Sequence, residues 1–371
     1  MSLTIGIDAR ELEFHPRGVG RVLISLLKEW NKNTCGHQFV LYFKNAVPDM
    51  EALNHPHYKK KVLPVPSLIR RDRVWEQIFL PFYIKKDNLD IFFSPSYTIP
   101  LAASCPTVVA IHDISYQTHP EWFGLRHQLL LRLFTGLSAR MASRIICCSN
   151  YTRSEISAHY GARAETKISV VYFAPDEVFF AGRDAGDSVF GRYNITQPYF
   201  LFVGSLLRRR NISHLLQAFK DTAHPRYMLV LIGNNDEMGD DLQLSLDRLA
   251  LDKNVVHLDY VRDEDLPAIY RGAFCFVHPS SYEGFALPVV EAMACGTPAI
   301  IVDAGAMVEV ADGAALISPL EGLSQAMTAI IENPALREDL VRKGLARAQK
   351  LSWRETASAF MKIIEEAVNR P

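Results

Sequence analysis

SSYEGFALPVVEAMACG, residues Ser280–Gly296, reads as a polar turn passing into a helix, with one carboxylate near each end. An apolar run, Ala273–His278, precedes it and a second, Pro298–Val302, follows. The spacing predicts strand, loop, helix, strand in a parallel α/β sheet. Loops at the carboxyl ends of such strands are where open sheets bind ligands.

Within the stretch, Gly284 allows a tight turn, and Pro288 suits the first turn of a helix because its missing N–H costs nothing there. The helix is therefore expected to begin near Leu287, with free amides from Phe285 through Ala286 and Leu287 to Val289 pointing back at the loop. Free amides at the positive end of a helix make an anion site, contributing roughly 0.3–1 kcal/mol per exposed charge. Glu283 stands just before the turn and Glu291 lies eight positions on. Carboxylates only accept hydrogen bonds, so their natural partners are hydroxyls on either side of the anion. A sugar, a phosphate and a ribose in series have that layout.

The string Glu283-GFALPVV-Glu291 closely resembles the donor-sugar motif of retaining family 4 glycosyltransferases of the GT-B fold. A plain helix-capping loop also carries Gly and Pro, and two acids eight apart are common, but YEGF-x-LP-x-x-EAMACGTP is far more specific. The resemblance implies that Glu283 contacts the transferred hexose and Glu291 the nucleotide ribose. The family usually has Gly where Ala286 stands, which implies a tighter turn here.

The 371 residues favour two domains with ample core, and 49% apolar with 22% charged residues is a globular composition that excludes disorder. No run of eighteen apolar residues occurs, and the N-terminus enters a strand-like LTIGIDA directly, so neither a membrane span nor a secretory signal is read and a cytoplasmic location is expected. Cys35, Cys105, Cys147, Cys148, Cys275 and Cys295 form no C-x-x-C pair, which favours reduced, buried thiols over a metal site. Net charge is −1, with a mildly basic first half and a mildly acidic second. That asymmetry, without aromatic and basic residues interleaved, does not indicate nucleic acid. It leaves an anionic acceptor or a peripheral membrane contact through the N-terminal half open.

Along the chain, Asp8 and Arg10 end the first strand, and the loop Arg17-Gly18-Val19-Gly20-Arg21 leads into a helix. It lacks the third glycine and the distal acid of a dinucleotide fingerprint. It resembles the G-x-G-R loop that faces donor phosphates and acceptor in the same family. A strand beginning at Val62 and a helix with Trp75, Phe79 and Tyr83 in a core-facing stripe come next, with Arg70, Arg71 and Arg73 read as a solvated basic turn in preference to a site for anionic lipid headgroups. The strand at Thr107–Ile111 runs into His112-Asp113, at the strand end that faces a ligand crevice. On the residues alone, His112 is equally a structural imidazole; VVAIHDISYQTHPEWF resembles the family segment that closes over the hexose, which implies a sugar contact for His112. Asp113 is expected to orient the loop. Leu125–Ala142 mixes leucines with Arg126, Arg132 and Arg140; packing of its apolar face on its own sheet is favoured over a membrane surface.

Periodicity fails over residues 174–198, which are read as a linker. A second α/β unit opens at Tyr199–Val203, followed by Gly204-Ser205-Leu-Leu-Arg208-Arg209-Arg210-Asn211. Cations between the first strand and first helix stand where a diphosphate needs them, each charge-assisted bond contributing roughly 1.5–3 kcal/mol. The loop resembles the family's G-[RTS]-L-x-x-[RK]-K-N segment, with Ser205 in the loop and Arg209 and Arg210 as the basic pair; Arg replaces the usual Lys at 210. Asp263-Glu-Asp265 imitates a D-x-D metal motif but precedes a helix, where acids cap.

These readings give two Rossmann-like parallel-sheet domains, GT-B, facing across a cleft. The first is residues 1–173 with a helix over 352–371 packing back on it; the nucleotide-binding second is 199–351. The implied activity is retaining transfer of a hexose from a nucleotide sugar donor, GDP-mannose favoured over UDP-sugars, to a glycan or lipid-linked acceptor, with no metal and no other cofactor. A pyridoxal-phosphate phosphorylase of related fold would need a lysine that the arginine loop does not offer. A nucleotide-sugar isomerase and a non-catalytic sensor share the double-domain plan.

Overall fold

The computed structural model describes residues 2–13, 18–32, 36–63, 72–180, 182, 187–222, 226–235 and 240–368. Arg17, Cys35, Arg70 and Arg71 lie outside them. The chain divides into two compact units, Met1–Phe173 with Trp353–Pro371, and Ala174–Ser352.

The first unit holds β1 (Thr4–Asp8), β2 (Gln38–Phe43), β3 (Tyr58–Val62), β4 (Ile91–Ser94), β5 (Thr107–Ala110), β6 (Arg144–Cys147) and β7 (Ile168–Val170). They pair in the order β3-β2-β1-β4-β5-β6-β7, every ladder parallel. The second unit holds β8 (Tyr199–Val203), β9 (Met228–Ile232), β10 (Val255–Leu258), β11 (Cys275–His278), β12 (Ala299–Val302) and β13 (Leu316–Ser318), in the order β10-β9-β8-β11-β12-β13, also parallel. Strands such as MLVLI and AIIV are buried throughout, as parallel strands covered on both faces must be. In each sheet the order reverses beside the first strand, and that reversal opens a crevice at the carboxyl ends.

Three sequence expectations change. The strand expected to start at Val62 ends there: β3 is YKKKV, a lysine-rich edge strand whose charges discourage further pairing. Residues 174–198 are not a bare linker, because helical turns at Glu177–Phe180 and Asp187–Arg192 belong to the second unit and Phe179 and Ile195 enter its core. Gly, Asp and Pro there mark irregular backbone rather than lack of packing. The Leu125–Met141 helix also faces the other way from the expectation. It buries Gln128, Thr135, Ser138 and Ala139 and leaves Leu125, Leu129, Leu130 and Leu133 exposed.

The helix Trp353–Val368 completes the first core. Phe360 is fully buried against Phe93, ring centroids 5.9 Å apart, and Trp353 stacks on Phe173. Trp30 Nε1 donates to Ala357 O at 3.0 Å, and Thr356 Oγ1 to Tyr172 O at 2.7 Å. Phe360→Ala is expected to cost about 3–5 kcal/mol, the usual range for a buried Phe. Urea denaturation followed by intrinsic fluorescence measures the loss, and a cost below 1 kcal/mol would mean that this helix does not hold the first core.

Candidate active site

Because β8 and β11 are neighbours, registered Cys275 to Phe200, the loops leaving their carboxyl ends lie side by side. Hydrogen bonds join them: Ser281 N donates to Arg209 O at 2.8 Å, and Asn211 Nδ2 donates to Pro279 O at 2.8 Å and Ser281 Oγ at 2.6 Å. Asn211 holds φ 52°, a left-handed position that Asn tolerates, which ends the Arg208–Arg210 turn and starts the helix Ile212–Thr222. The basic loop and the acid-bearing turn thus form one surface.

At its centre, Arg210 Nη1 donates to His278 Nε2 and to Ser280 Oγ, both at 3.1 Å, and pairs with Glu283 Oε1. His278 is wholly buried, its ring near-parallel to Phe202 and Phe276. Burial and then the Arg210 charge push its pKa well below 6.5, so the ring is neutral. With Nε2 accepting from arginine, the proton sits on Nδ1, which meets no hydrogen-bond partner among the described residues. Glu283 Oε1 also lies 3.1 Å from Nε2. Two acceptors that close need a shared donor, and Arg210 supplies it.

The turn is fixed from behind. Ala306 N donates to Glu283 O at 3.0 Å, and Gly305, at φ 60°, packs so tightly that a Cβ there would lie 2.7 Å from Glu283 N. Ala286 caps the helix Leu287–Ala294 in the left-handed region, φ 68° and ψ 60°, with Pro288 in the first turn. The residue that replaces the family's usual glycine is therefore the one in the glycine-like conformation, at a cost of roughly 1–2 kcal/mol. Its helix N-terminus carries no side-chain cap. Glu291, almost fully buried, accepts from Tyr270 OH at 3.1 Å. Ser205 is half-buried, with its carbonyl taking Leu207 N at 2.9 Å.

In the first unit, His112 follows β5 and is packed between Tyr97 and Phe173. Its Nε2 donates to Pro95 O at 2.7 Å, and burial lowers its pKa, so Nδ1 is the ring acceptor. Asp113 accepts from Ser115 N, Ser115 Oγ and Tyr97 OH. Gly18 takes φ 49° before the helix Val19–Lys32, whose first turn contains Gly20. Arg73 is not part of a solvated turn: it pairs with Glu76 at 3.1 Å, bonds Thr98 Oγ1 at 2.9 Å and lies over Phe134. Glu76 also receives Arg10, which forks onto Asp8, and burial raises the Glu76 pKa.

Asp265 stands at the N-cap of the helix Leu266–Gly272, but its carboxylate makes no cap bond. It is held instead by Arg192 Nη1 at 2.5 Å and Tyr193 OH at 2.8 Å, which corrects the capping expectation; Asp263 is exposed. Cys147, Cys148, Cys275 and Cys295 are buried free thiols and Cys105 is half-buried. Sequence reading missed His278, Tyr270, Asn211 and Gly305. Of these, His278 was within reach, since it stands at the carboxyl end of a parallel strand, where His112 follows another.

Two family models match the chain in succession, Glycosyltransferase Family 4 over residues 16–176 and Glycosyl transferases group 1 over residues 190–347. O-antigen chain mannosyltransferase B of Escherichia coli is 27% identical over 353 residues, spanning 91% of this chain and 92% of that protein. Among solved structures, sucrose-phosphate synthase of Thermosynechococcus elongatus superposes with a TM-score of 0.78 at 19% identity over 98% of both chains. Anabaena HepE in complex with UDP and glucose gives 0.78 at 17% identity, over 98% of this chain and 100% of that one. Two parallel-sheet domains with this site in the second define a GT-B glycosyltransferase. The chain belongs to family 4, the group 1 glycosyltransferases.

Gly305→Ala is expected to cost about 1–3 kcal/mol through strain at positive φ and to displace Glu283, measured as a lower Tm together with lost activity. His278 binds its proton in the unfolded chain before the folded one, so its contribution to stability is full above pH 6.5 and is lost as pH falls. His278→Gln should shrink the loss of stability between pH 7 and 5 by up to about 2 kcal/mol in urea titrations. An unchanged slope would mean that the ring is not held neutral.

Proposed function

We propose that this glycosyltransferase moves a hexose, with retention of anomeric configuration, from a nucleoside diphosphate sugar to a hydroxyl of a glycan or lipid-linked glycan. The observation that carries the reading is the assembly of Arg210, Glu283, His278 and an uncapped helix N-terminus at the β8/β11 reversal. Departure of a nucleoside diphosphate develops negative charge, and Arg209, Arg210 and the backbone from Gly284 through Phe285, Ala286 and Leu287 are the groups suited to receive it. Glu283 takes hexose hydroxyls, Glu291 the ribose and Ser205 the phosphate side. In the first unit, His112 contacts the sugar through Nδ1, and Gly18 and Gly20 leave backbone open to phosphate and acceptor. Two guanidiniums supply the cationic charge, so the proposed reaction needs no metal.

GDP-mannose is the favoured donor, because the E. coli relative is by name a mannosyltransferase of the O-antigen chain. A UDP-sugar is the second reading, favoured by the UDP and glucose in the HepE complex. Thermal shift across a panel of nucleotide sugars, then turnover with and without acceptor, tests both. Stabilisation by none of them would overturn the proposal, and conversion of donor without acceptor would make the protein an isomerase.

Arg209→Ala combined with Arg210→Ala is expected to lower kcat by roughly 10²–10⁴, two charge-assisted bonds at about 1.5–3 kcal/mol each. Glu291→Gln should mainly raise the donor Kd. A chelator should leave turnover unchanged.

A further inference from the structure

Arg210 is held by two kinds of partner. Its Nη1 donates to His278 Nε2 and Ser280 Oγ, both neutral, and pairs with Glu283, which is charged. The neutral acceptors orient the guanidinium without cancelling it, whereas Glu283 answers the charge as well. The Arg210 and Glu283 side chains are only 13% and 12% exposed, so water screens their attraction poorly.

The proposed reaction needs both members of this ion pair for something else. A diphosphate on Arg210 has to take the nitrogen that Glu283 occupies, or share it and bring two anions together, which like charges resist. The backbone of Glu283 gives it no room to retreat, because Ala306 N donates to Glu283 O at 3.0 Å and Gly305 packs against Glu283 N, where a Cβ would lie 2.7 Å away. Rotation about the side-chain bonds is what remains. A hexose on the diphosphate offers hydroxyls from which the turned carboxylate accepts. A bare diphosphate offers none, and the carboxylate is left poorly hydrated beside negative charge with no donor to replace Arg210.

We propose that Glu283 competes with the diphosphate for Arg210, so that the site favours a diphosphate carrying a sugar over a bare nucleoside diphosphate. This rests on the donor reading above and gives the carboxylate a second task. Once the hexose has been transferred, Glu283 returns to Arg210 and loosens the nucleotide product. His278 and Ser280 keep the guanidinium oriented through the exchange, since neither bond is made by Glu283.

The test is titration calorimetry of the full chain and of Glu283→Gln with inorganic pyrophosphate, UDP and GDP, beside UDP-glucose and GDP-mannose. Glutamine keeps the shape and removes the charge, so pyrophosphate and the bare nucleotide should bind the variant about tenfold more tightly than the wild-type chain. The nucleotide sugar should gain nothing or bind more weakly, and Glu283→Ala should move both in the same directions. General damage to the fold would weaken every ligand, so a gain for one class alone is specific to the lost charge. Bare diphosphates that bind both variants no more tightly, while a nucleotide sugar binds the wild-type chain, would overturn the competition and leave the donor reading standing. Failure of every nucleotide sugar to bind the wild-type chain would overturn both. Ser280→Ala removes an orienting bond and no charge, and should weaken pyrophosphate; a gain equal to that of Glu283→Gln would also overturn the proposal.

Discussion

One guanidinium ties together the second unit's candidate site. Arg210 reaches a neutral imidazole, a hydroxyl and a carboxylate from a single nitrogen; the imidazole ends β11, and the other two come from the loop after it. The contact exists only because β8 and β11 are adjacent, and they are adjacent only because the strand order reverses there. Burying His278 between two phenylalanines makes it a fixed acceptor rather than a competing cation. The charge beside Glu283 is thereby set by sheet topology, and a Lys at position 210 would offer a point charge in place of the planar fork.

The fold was legible because parallel strands buried on both faces write themselves as apolar runs, such as YFLFV and MLVLI. One edge was not, because YKKKV carries the charges that keep an edge from pairing and so lacks that signature. The start of the helix Leu287–Ala294 was legible from Pro288, whereas the left-handed position fell on Ala286, a residue type that advertises nothing. Gly305 escaped for a related reason. Its importance lies in a backbone more than twenty positions away, and no local pattern records that approach.

The Leu125–Met141 helix shows a limit of another kind. Composition states that a helix has leucines and arginines but not which side the sheet will claim. Here Gln128, Thr135, Ser138 and Ala139 are buried, Ser138 taking Ile99 N, while Leu125, Leu129, Leu130 and Leu133 are left outward. Asp265 makes the same point for charge: it occupies a capping position, yet its carboxylate goes to Arg192 and Tyr193. In both places partners distant in sequence overrode local preference.

The helix Trp353–Val368 has a consequence for biosynthesis. It belongs to the first unit but is separated from the rest of that unit by the whole of the second. As the chain leaves the ribosome, the later domain has all of its residues before the earlier one does, and Phe93 and Trp30 wait uncovered for Phe360 and Ala357. The half translated first is therefore the half whose set of residues is completed last, after every residue of the other has been made.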